Sequence, residues 1–145
     1  LEGELLNGRK NLHTHVRSFI IGAMTPHRAL QYIKENSLLV TPGDRDDLVL
    51  TAISLSSTST RRRGSTVAGI VLTGGVRPRR SVMQVIERTE IPVILSSEDT
   101  YRVASHLHDM MVKITPDDSR KIRMVRSLYD AHFDLDTLYD TITRY

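Results

Sequence analysis

The chain has 145 residues, 39% of them hydrophobic, which suits one globular domain with a core of its own. Its formal net charge of +3 is mild, and the absence of cysteine excludes disulfides and thiolate-based metal or nucleophile chemistry. No apolar stretch approaches the roughly 20 residues that a membrane-spanning helix needs, and no signal peptide is present. We therefore expect a soluble, cytoplasmic protein, and the first residue, Leu1, suggests a segment of a longer chain or the loss of a tag.

The first two predicted strands are short apolar runs, and each is followed by a helix. Residues 16–23 predict the first strand, and Thr25-Pro26 then offers a helix cap followed by proline at the first helical position. Within this helix the spacing places Leu30 and Ile33 towards the core. Residues 38–40 predict the second strand, which ends at a Thr-Pro-Gly turn.

The second helix is predicted to begin at Asp44, which can act as its cap, with Asp47 in the first turn favourable to the helix dipole. Apolar residues at helical spacing follow, at Leu48, Val49, Ala52, Ile53 and Leu55. The helix should end near Ser56, because residues 57–65 are rich in Ser and Thr and include three consecutive arginines. We interpret that stretch as an exposed, mobile loop.

The third strand has the clearest pattern in the chain. Residues 67–76 begin with an unbroken apolar run, which is typical of a strand buried on both faces. Thr73-Gly74-Gly75 then breaks the run, and Pro78 opens a helical pattern. The apolar face of that helix comprises Val82, Met83, Val85 and Ile86.

The rest of the chain predicts one more buried strand and further helices. Residues 91–95 form the strand, and residues 97–100 supply several cap candidates for the helix that follows. One face of that helix carries Val103, Leu107 and Met110. Residues 112–114 predict a short edge strand, Pro116 opens a helix, and Asp134 caps a last one. The helix after Pro116 is lined by Ile122, Val125 and Tyr129.

Strands that alternate with helices predict an α/β fold. We expect a layered α/β/α sandwich with a mostly parallel sheet of about five strands. We assign residues 15–133 to this domain, residues 1–14 to a linker or N-terminal extension, and residues 134–145 to a C-terminal helical extension.

Three strand-to-helix loops should meet at one edge of this sheet, because ligands of parallel α/β sheets gather outside the carboxyl ends of the strands. They are residues 41–45, 73–75 and 96–100, and each leads into a helix N-terminus, where free N–H groups favour an anion. The predicted ligand-binding residues are Gly43, Asp44, Arg45, Thr73, Gly74, Gly75, Asp99 and Thr100.

The same loops have a second interpretation, in which they only reverse the chain. Every α/β protein needs short strand-to-helix turns, and Gly, Asp, Ser and Thr are their usual residues. Asp44 and Asp99 would then be helix caps and nothing more. Arg45 would form an ion pair with Asp47 or another neighbour.

Two fragments of these loops resemble the signature of the DRTGG domain family, which is named after Asp-Arg and Thr-Gly-Gly. They are Gly43-Asp44-Arg45-Asp46-Asp47 and Leu72-Thr73-Gly74-Gly75. The resemblance continues in Ile21-Gly22-Ala23-Met24, Pro78 and Asp99-Thr100-Tyr101. It covers roughly residues 15–125, in the family's order.

The resemblance implies a fold similar to the N-terminal domain of HPr kinase/phosphatase, and a role in regulation or in the assembly of oligomers. The family occurs as the middle domain of long bacterial phosphotransacetylases, after a dethiobiotin-synthetase-like P-loop domain in shorter proteins, and beside CBS domains. Residues 1–11 resemble the linker that enters the domain after the synthetase-like part.

Signatures of catalysis are missing from the sequence, so we predict no catalytic residue, no cofactor and no metal. The P-loop, which needs Gly-Lys, does not occur, and neither does Gly-x-Gly-x-x-Gly or Gly-x-Ser-x-Gly. His106 and His108 diverge on a predicted helix, since two residues turn through about 200°. His13 and His15 would share one side of a strand, but two imidazoles alone make a poor metal site.

We therefore predict a non-catalytic regulatory and oligomerisation domain of a phosphotransacetylase-related or dethiobiotin-synthetase-like protein. Its expected partners are a second copy of the chain in a symmetric dimer, the neighbouring domains of the parent chain, and a small anionic metabolite or nucleotide. No membrane partner is expected. The alternatives are a purely structural dimerisation module, a phosphate-handling enzyme that uses its Asp residues, and nucleic-acid binding by residues 61–63 and 77–80.

Overall fold

The protein is represented by a computed structural model, which describes residues 2–58, 67–110 and 119–132. Some predicted features lie outside these residues. They are most of the loop at 57–65, the edge strand at 112–114 and the helix that begins at Asp134.

The described strands are β1 (Glu4–Asn7), β2 (Ser18–Ile21), β3 (Ser37–Pro42), β4 (Val67–Thr73) and β5 (Val93–Leu95). They form one sheet in the order β1-β5-β4-β3-β2. The strands β2 to β5 run parallel, and β1 pairs antiparallel with β5. All residues of β4 are buried, so the prediction of a central strand covered on both faces is confirmed.

The described helices are α1 (Pro26–Tyr32), α2 (Asp46–Thr58), α3 (Arg80–Ile86), α4 (Thr100–Asp109) and α5 (Ser119–His132), with a short 3-10 turn at Arg9–Asn11. Across the described ranges, we find no helix with the length and apolar character that a bilayer crossing requires. The chain divides after Asp109 into two compact units, and α5 is the described element of the second. The assigned domain boundaries at residues 14 and 133 stay predictions.

Helices cover both faces of the sheet, which confirms the predicted α/β/α sandwich. On one face, α1, α2 and α3 share a core with Ile70 and Leu72 of β4. On the other face, Val71 of β4 packs with Val103 of α4. Neighbouring residues of β4 thus serve opposite cores, because successive side chains of a strand point to opposite faces.

The predicted core face of α1 is only partly correct. Ile33 is buried, as is Ala29, whereas Leu30 is 44% exposed. The helix is only seven residues long, so it buries a single row of side chains. That row consists of Ala29 and Ile33. Leu30 lies beside that row and faces outwards.

Two predicted helix starts are too early. In α2, two backbone N–H groups of the first turn donate to the carbonyl of Arg45 at 3.1 and 3.2 Å, so Arg45 and not Asp44 holds the cap position. In α3, the backbone of Arg79 is still extended and holds the cap position. Pro78 therefore precedes the helix instead of opening it.

The sequence did not predict β1, because its short apolar patch shows no clear alternation. This strand is joined to the rest of the sheet through Asn7. The Asn7 amide nitrogen lies 3.0, 2.9 and 3.0 Å from the backbone carbonyl oxygens of Ile86, Thr89 and Ile91, which share its two N–H hydrogens. One side chain therefore ties the end of β1 to the turn between α3 and β5.

Replacement of Asn7 by Asp should lower the free energy of unfolding by about 3 kcal/mol, because a carboxylate would face three carbonyl oxygens with no proton to donate. Urea denaturation at pH 7 measures the change. Asn11→Asp is the matched control, since the Asn11 amide donates to one carbonyl, that of Glu90, at an exposed position. The control should cost less than about 1 kcal/mol, and equal losses in the two variants would contradict this role of Asn7.

Candidate functional site

The three predicted loops meet at the carboxyl edge of the parallel strands. The Gly43 N–H group, which follows β3, donates to the carbonyl of Thr73 at 3.2 Å. The Gly74 N–H group, which follows β4, donates to the carbonyl of Glu98 at 2.7 Å. Each loop is therefore bonded to the next, and the edge forms one connected surface.

The Thr-Gly-Gly turn is held by further bonds to the loop after β5. The Gly75 N–H group donates to the carbonyl of Ser96 at 2.8 Å. The hydroxyls of Thr73 and Thr100 share a hydrogen bond of 2.7 Å, which joins the end of β4 to the first residue of α4. Since Thr73 is buried, this bond satisfies a hydroxyl that would otherwise be costly to bury.

The glycines of these loops serve different needs. Gly74 and Gly75 have left-handed φ angles of 79° and 66°, which glycine adopts without steric cost. Among the described residues, nothing beyond its chain neighbours lies within 4 Å of the place a Gly74 Cβ would occupy, so this turn faces open space. Gly43 is crowded instead: a Cβ there would lie 1.6 Å from the carbonyl oxygen of Val76.

Arg45 adds a further connection, in which the ion pair with Asp47 agrees with the second interpretation of the loops and the bonds to backbone carbonyls were not predicted. Its Nε and Nη2 donate to the two carboxylate oxygens of Asp47, each at 2.9 Å. Nη2 also donates to the carbonyl of Met24 at 2.8 Å, and Nη1 donates to that of Gly22 at 3.3 Å. The guanidinium thus fixes the loop after β2 to the first turn of α2. The only sequence signal for this loop is the family likeness of residues 21–24.

The ion pair favours the charged form of both its members. The hydrogen bond from Arg45 lowers the pKa of Asp47, with burial opposing it. The hydrogen bond to Asp47 raises the pKa of Arg45. The two side chains are 31% and 44% exposed, so water screens their attraction and the pair acts mainly by fixing geometry.

Asp44 and Asp99, the two aspartates among the predicted ligand-binding residues, have different surroundings. Asp99 caps α4, because its Oδ1 accepts a hydrogen bond of 2.9 Å from the backbone N–H of Arg102. Asp44 is exposed and lies before the cap position of α2. The helix-cap interpretation therefore fits Asp99, while Asp44 is open to solvent at the edge.

Exposed arginines surround the edge, and they are not among the residues that the sequence predicted for the site. Arg79 is 87% exposed, and its Nε lies 3.4 Å from Oδ2 of Asp46. Arg77 is also exposed and pairs with Glu4 of β1. Arg102 is exposed in the first turn of α4. We refer to Arg77, Arg79 and Arg102 as the cationic rim. The arginines at residues 77–80 follow Thr-Gly-Gly after one intervening residue, and that position could have indicated the rim.

Residues 2–58, 67–110 and 119–132 contain no group of three His, Cys, Asp or Glu side chains placed to hold a metal ion. His106 contacts a carboxylate instead, since its Nδ1 lies 3.3 Å from Oε2 of Glu98. That oxygen is buried, and the described residues provide it with no hydrogen bond. His13 lies in a turn and His15 in an irregular segment, so the strand that would align them is not formed.

Comparison with known proteins places this arrangement in a family. A model of the DRTGG domain matches residues 1–110. The phosphate acetyltransferase of Nitratidesulfovibrio vulgaris is 34% identical over 137 residues, which cover 92% of this chain and 19% of that protein. The phosphate acetyltransferase of Synechocystis is 29% identical over 137 residues, with the same two coverages. The chain thus spans about a fifth of the length of these curated relatives.

A solved structure has the same fold. It comprises the CBS and DRTGG domains of the regulatory region of Clostridium perfringens pyrophosphatase, complexed with the activator diadenosine tetraphosphate. The TM-score is 0.57 at 17% identity, over 90% of this chain and 56% of that chain. A likeness at this identity concerns the fold, while the match over residues 1–110 identifies the family. The chain belongs to the DRTGG domain family.

Proposed function

We propose that this chain is a non-catalytic regulatory and assembly domain that binds a small anionic metabolite or nucleotide at the carboxyl edge of its sheet. The observation that supports this most directly is the open Thr-Gly-Gly turn, tied into neighbouring loops and bordered by exposed arginines. The residues that bound the proposed site are Gly43, Asp44, Arg45, Thr73, Gly74, Gly75, Asp99 and Thr100.

The arginines are better placed than the backbone to hold the anion. The N–H groups of Gly74 and Gly75 already donate to carbonyls of the next loop, so they are not free for a ligand. Within the described residues, Arg77 pairs with Glu4 and Arg79 pairs with Asp46, and both arginines are themselves exposed. The Arg77–Glu4 pair is exposed on both sides, and such pairs contribute about 0–1 kcal/mol, so a phosphate group can replace the Glu4 carboxylate at little cost. Gly74 leaves room for the ligand to approach.

The likeness to the pyrophosphatase region supports a nucleotide as the class of ligand. That protein was solved with diadenosine tetraphosphate, which combines several phosphates with two nucleosides. A polyphosphate of this kind suits a rim of several guanidinium groups, because arginine binds phosphate oxygens through two parallel N–H bonds.

We further propose that the parent of this chain is a phosphate acetyltransferase, in which the domain biases a catalytic part outside these residues. The relatives that carry this name support the proposal, and the chain corresponds to 19% of their length. Regulation of this kind requires that the ligand bind two states of the parent with different affinity.

If the chain binds a nucleotide through the cationic rim, the nucleotide should raise the melting temperature, and removal of a rim arginine should weaken the binding. ATP at about 100 times its Kd should stabilise the chain by about 2.7 kcal/mol, and diadenosine tetraphosphate should act at lower concentration than orthophosphate. Arg79→Ala should weaken the affinity for ATP about fivefold to tenfold, because it removes one charged contact. Differential scanning fluorimetry over a range of ATP concentrations measures both effects.

Arg88→Ala is the matched control, since Arg88 is exposed but lies beyond the other end of α3. The control should keep the affinity of the unmodified chain. An absence of any shift with all three anions would refute ligand binding. Equal losses in the two variants would show that the shift reflects general screening of charge.

Self-association is the second part of the proposal. Leu30 is 44% exposed and Leu50 is 37% exposed, and both line a groove between α1 and α2 together with Leu55. Apolar side chains grouped at the surface mark contact sites. A two-fold axis through this groove would bring the same leucines of two copies together.

Multi-angle light scattering should give a mass of twice 16.4 kDa at micromolar concentration. Leu50→Glu should weaken the dimer at least about tenfold, since it would place a carboxylate in an apolar contact. Gln31→Glu, an exposed change on α1, should leave the mass unchanged. A monomer mass for the unmodified chain would exclude this part of the proposal.

A second candidate function is a structural module without a ligand, and the bonds of Arg45 favour it. The guanidinium is already occupied by Asp47 and by the carbonyls of Gly22 and Met24. In this interpretation the signature residues only hold the loops in place, and no anion raises the melting temperature.

The Arg45–Asp47 pair predicts a pH dependence that needs no ligand. The folded pKa of Asp47 lies below the ordinary value of 3.8, so its contribution to stability is present above the unfolded pKa and is lost as pH falls through the folded pKa. Asp47→Asn should therefore lower the urea midpoint at pH 7, and the difference from the unmodified chain should shrink as pH falls below 3.8 and disappear below the folded pKa. Asp44→Asn, a neighbouring exposed carboxylate, is the control, and a difference that persisted in acid would show that charge is not responsible.

A further inference from the structure

Two exposed apolar side chains lie at the carboxyl edge, and neither belongs to the residues that bound the proposed site. Val76, which follows Gly75 directly, is 45% exposed. Tyr101, the second residue of α4, is 81% exposed. Among the exposed large apolar side chains of the described residues, Tyr101 has the highest exposed fraction. A ring with so little packing contributes little to the core, so its position has another cause than folding.

Contacts between the loops bring Tyr101 close to the Thr-Gly-Gly turn. Its chain neighbour Thr100 shares a hydrogen bond of 2.7 Å with Thr73 through their hydroxyls. A Cβ on Gly75 would lie 3.8 Å from the Cα of Ser97, so the turn is in contact with the loop that leads into α4. Tyr101 therefore stands one residue from the open turn. All of these residues belong to the first compact unit.

On each side of the turn, an exposed apolar residue directly precedes an arginine of the cationic rim. Val76 precedes Arg77, and Tyr101 precedes Arg102. Both arginines are exposed. Guanidinium groups bind phosphate oxygens, whereas an aromatic ring offers a flat apolar face. The pattern suits a ligand that combines an anionic part with a flat aromatic part, as a nucleotide does.

The ring of Tyr101 is free to stack. Tyr101 and Val103 are two positions apart on α4 and thus diverge by about 200°. Val103 is fully buried against the sheet, so Tyr101 points away from the sheet into solvent. Every nucleobase has a π face, and aromatic side chains stack on it whatever the base. A base can therefore reach this ring without displacing a packed side chain.

We infer that Tyr101 stacks on the base of the bound nucleotide while the cationic rim holds its phosphates. The inference rests on the proposed function, because it takes the anion site at the carboxyl edge as its starting point. Tyr101 is then a specificity residue. The arginines alone accept any polyphosphate, and the ring favours those that carry a base.

Calorimetric titration of the chain with ATP and with inorganic tripolyphosphate tests the inference. The two probes have the same number of phosphates, and ATP adds the nucleoside. The affinity for ATP should exceed that for tripolyphosphate at least about fivefold, since stacking of one base contributes that much or more. Tyr101→Ala should remove this preference by weakening ATP binding, and it should leave tripolyphosphate binding unchanged.

Two further variants make the result specific to the ring. Tyr101→Phe should keep the affinity for ATP within about twofold, because stacking needs the ring and not the hydroxyl. Tyr32→Ala is the matched control, since Tyr32 is 51% exposed but is the last residue of α1, which begins at the carboxyl edge and leads away from it. The control should keep both affinities.

Several outcomes would overturn the inference. Equal affinities for the two probes that Tyr101→Ala leaves unchanged would show an anion site without base recognition, and the ligand proposal would survive. Equal losses for both probes in Tyr101→Ala would show that the ring supports the structure of the rim. Loss of a dimer mass in that variant would show that the ring contacts a second copy. An absence of binding by both probes would refute the ligand proposal and this inference together.

Discussion

The hydrogen bonds between successive strand ends are the constraint on which the carboxyl edge depends. The N–H groups of Gly43 and Gly74 each donate to a carbonyl of the neighbouring loop or strand end. Arg45 adds the loop after β2 through its guanidinium. Because each turn is fixed by the next, a displacement of one breaks bonds in the others. Residues far apart in the sequence therefore act as one structural unit, which is a physical reason for the spacing of the DRTGG signature.

The sequence predicts the layered architecture well, because burial determines it. The apolar run of β4 can only be a strand with a core on each side, and the structure places α3 and α4 on opposite faces of it. The same reasoning brings the three loops to one edge, since parallel strands end together. Reasoning from burial is less reliable for the outer face of α1. Leu30 is adjacent to the buried Ala29 in the sequence but remains exposed.

Specific polar contacts could not be predicted, because they leave no periodic trace in the sequence. Asn7 reads as a turn residue, yet its amide joins β1 to three carbonyls more than 75 positions away, with separations of 79, 82 and 84. Arg45 donates to backbone carbonyls, which every residue type has, so the sequence gives no signal for these bonds. The cationic rim was missed for another reason: a run of arginines beside a helix is usually only a solvated surface.

The antiparallel direction of β1 places its first residue at the carboxyl edge of the sheet. Glu4 stands opposite Leu95, at the end of β5, so the strand begins at the carboxyl edge and runs away from it. Its first carboxylate is held by Arg77. A phosphate that captured this guanidinium would release Glu4 and loosen the outermost strand from its first residue. Binding of an anion to the cationic rim would thus cause β1 to fray from its first residue.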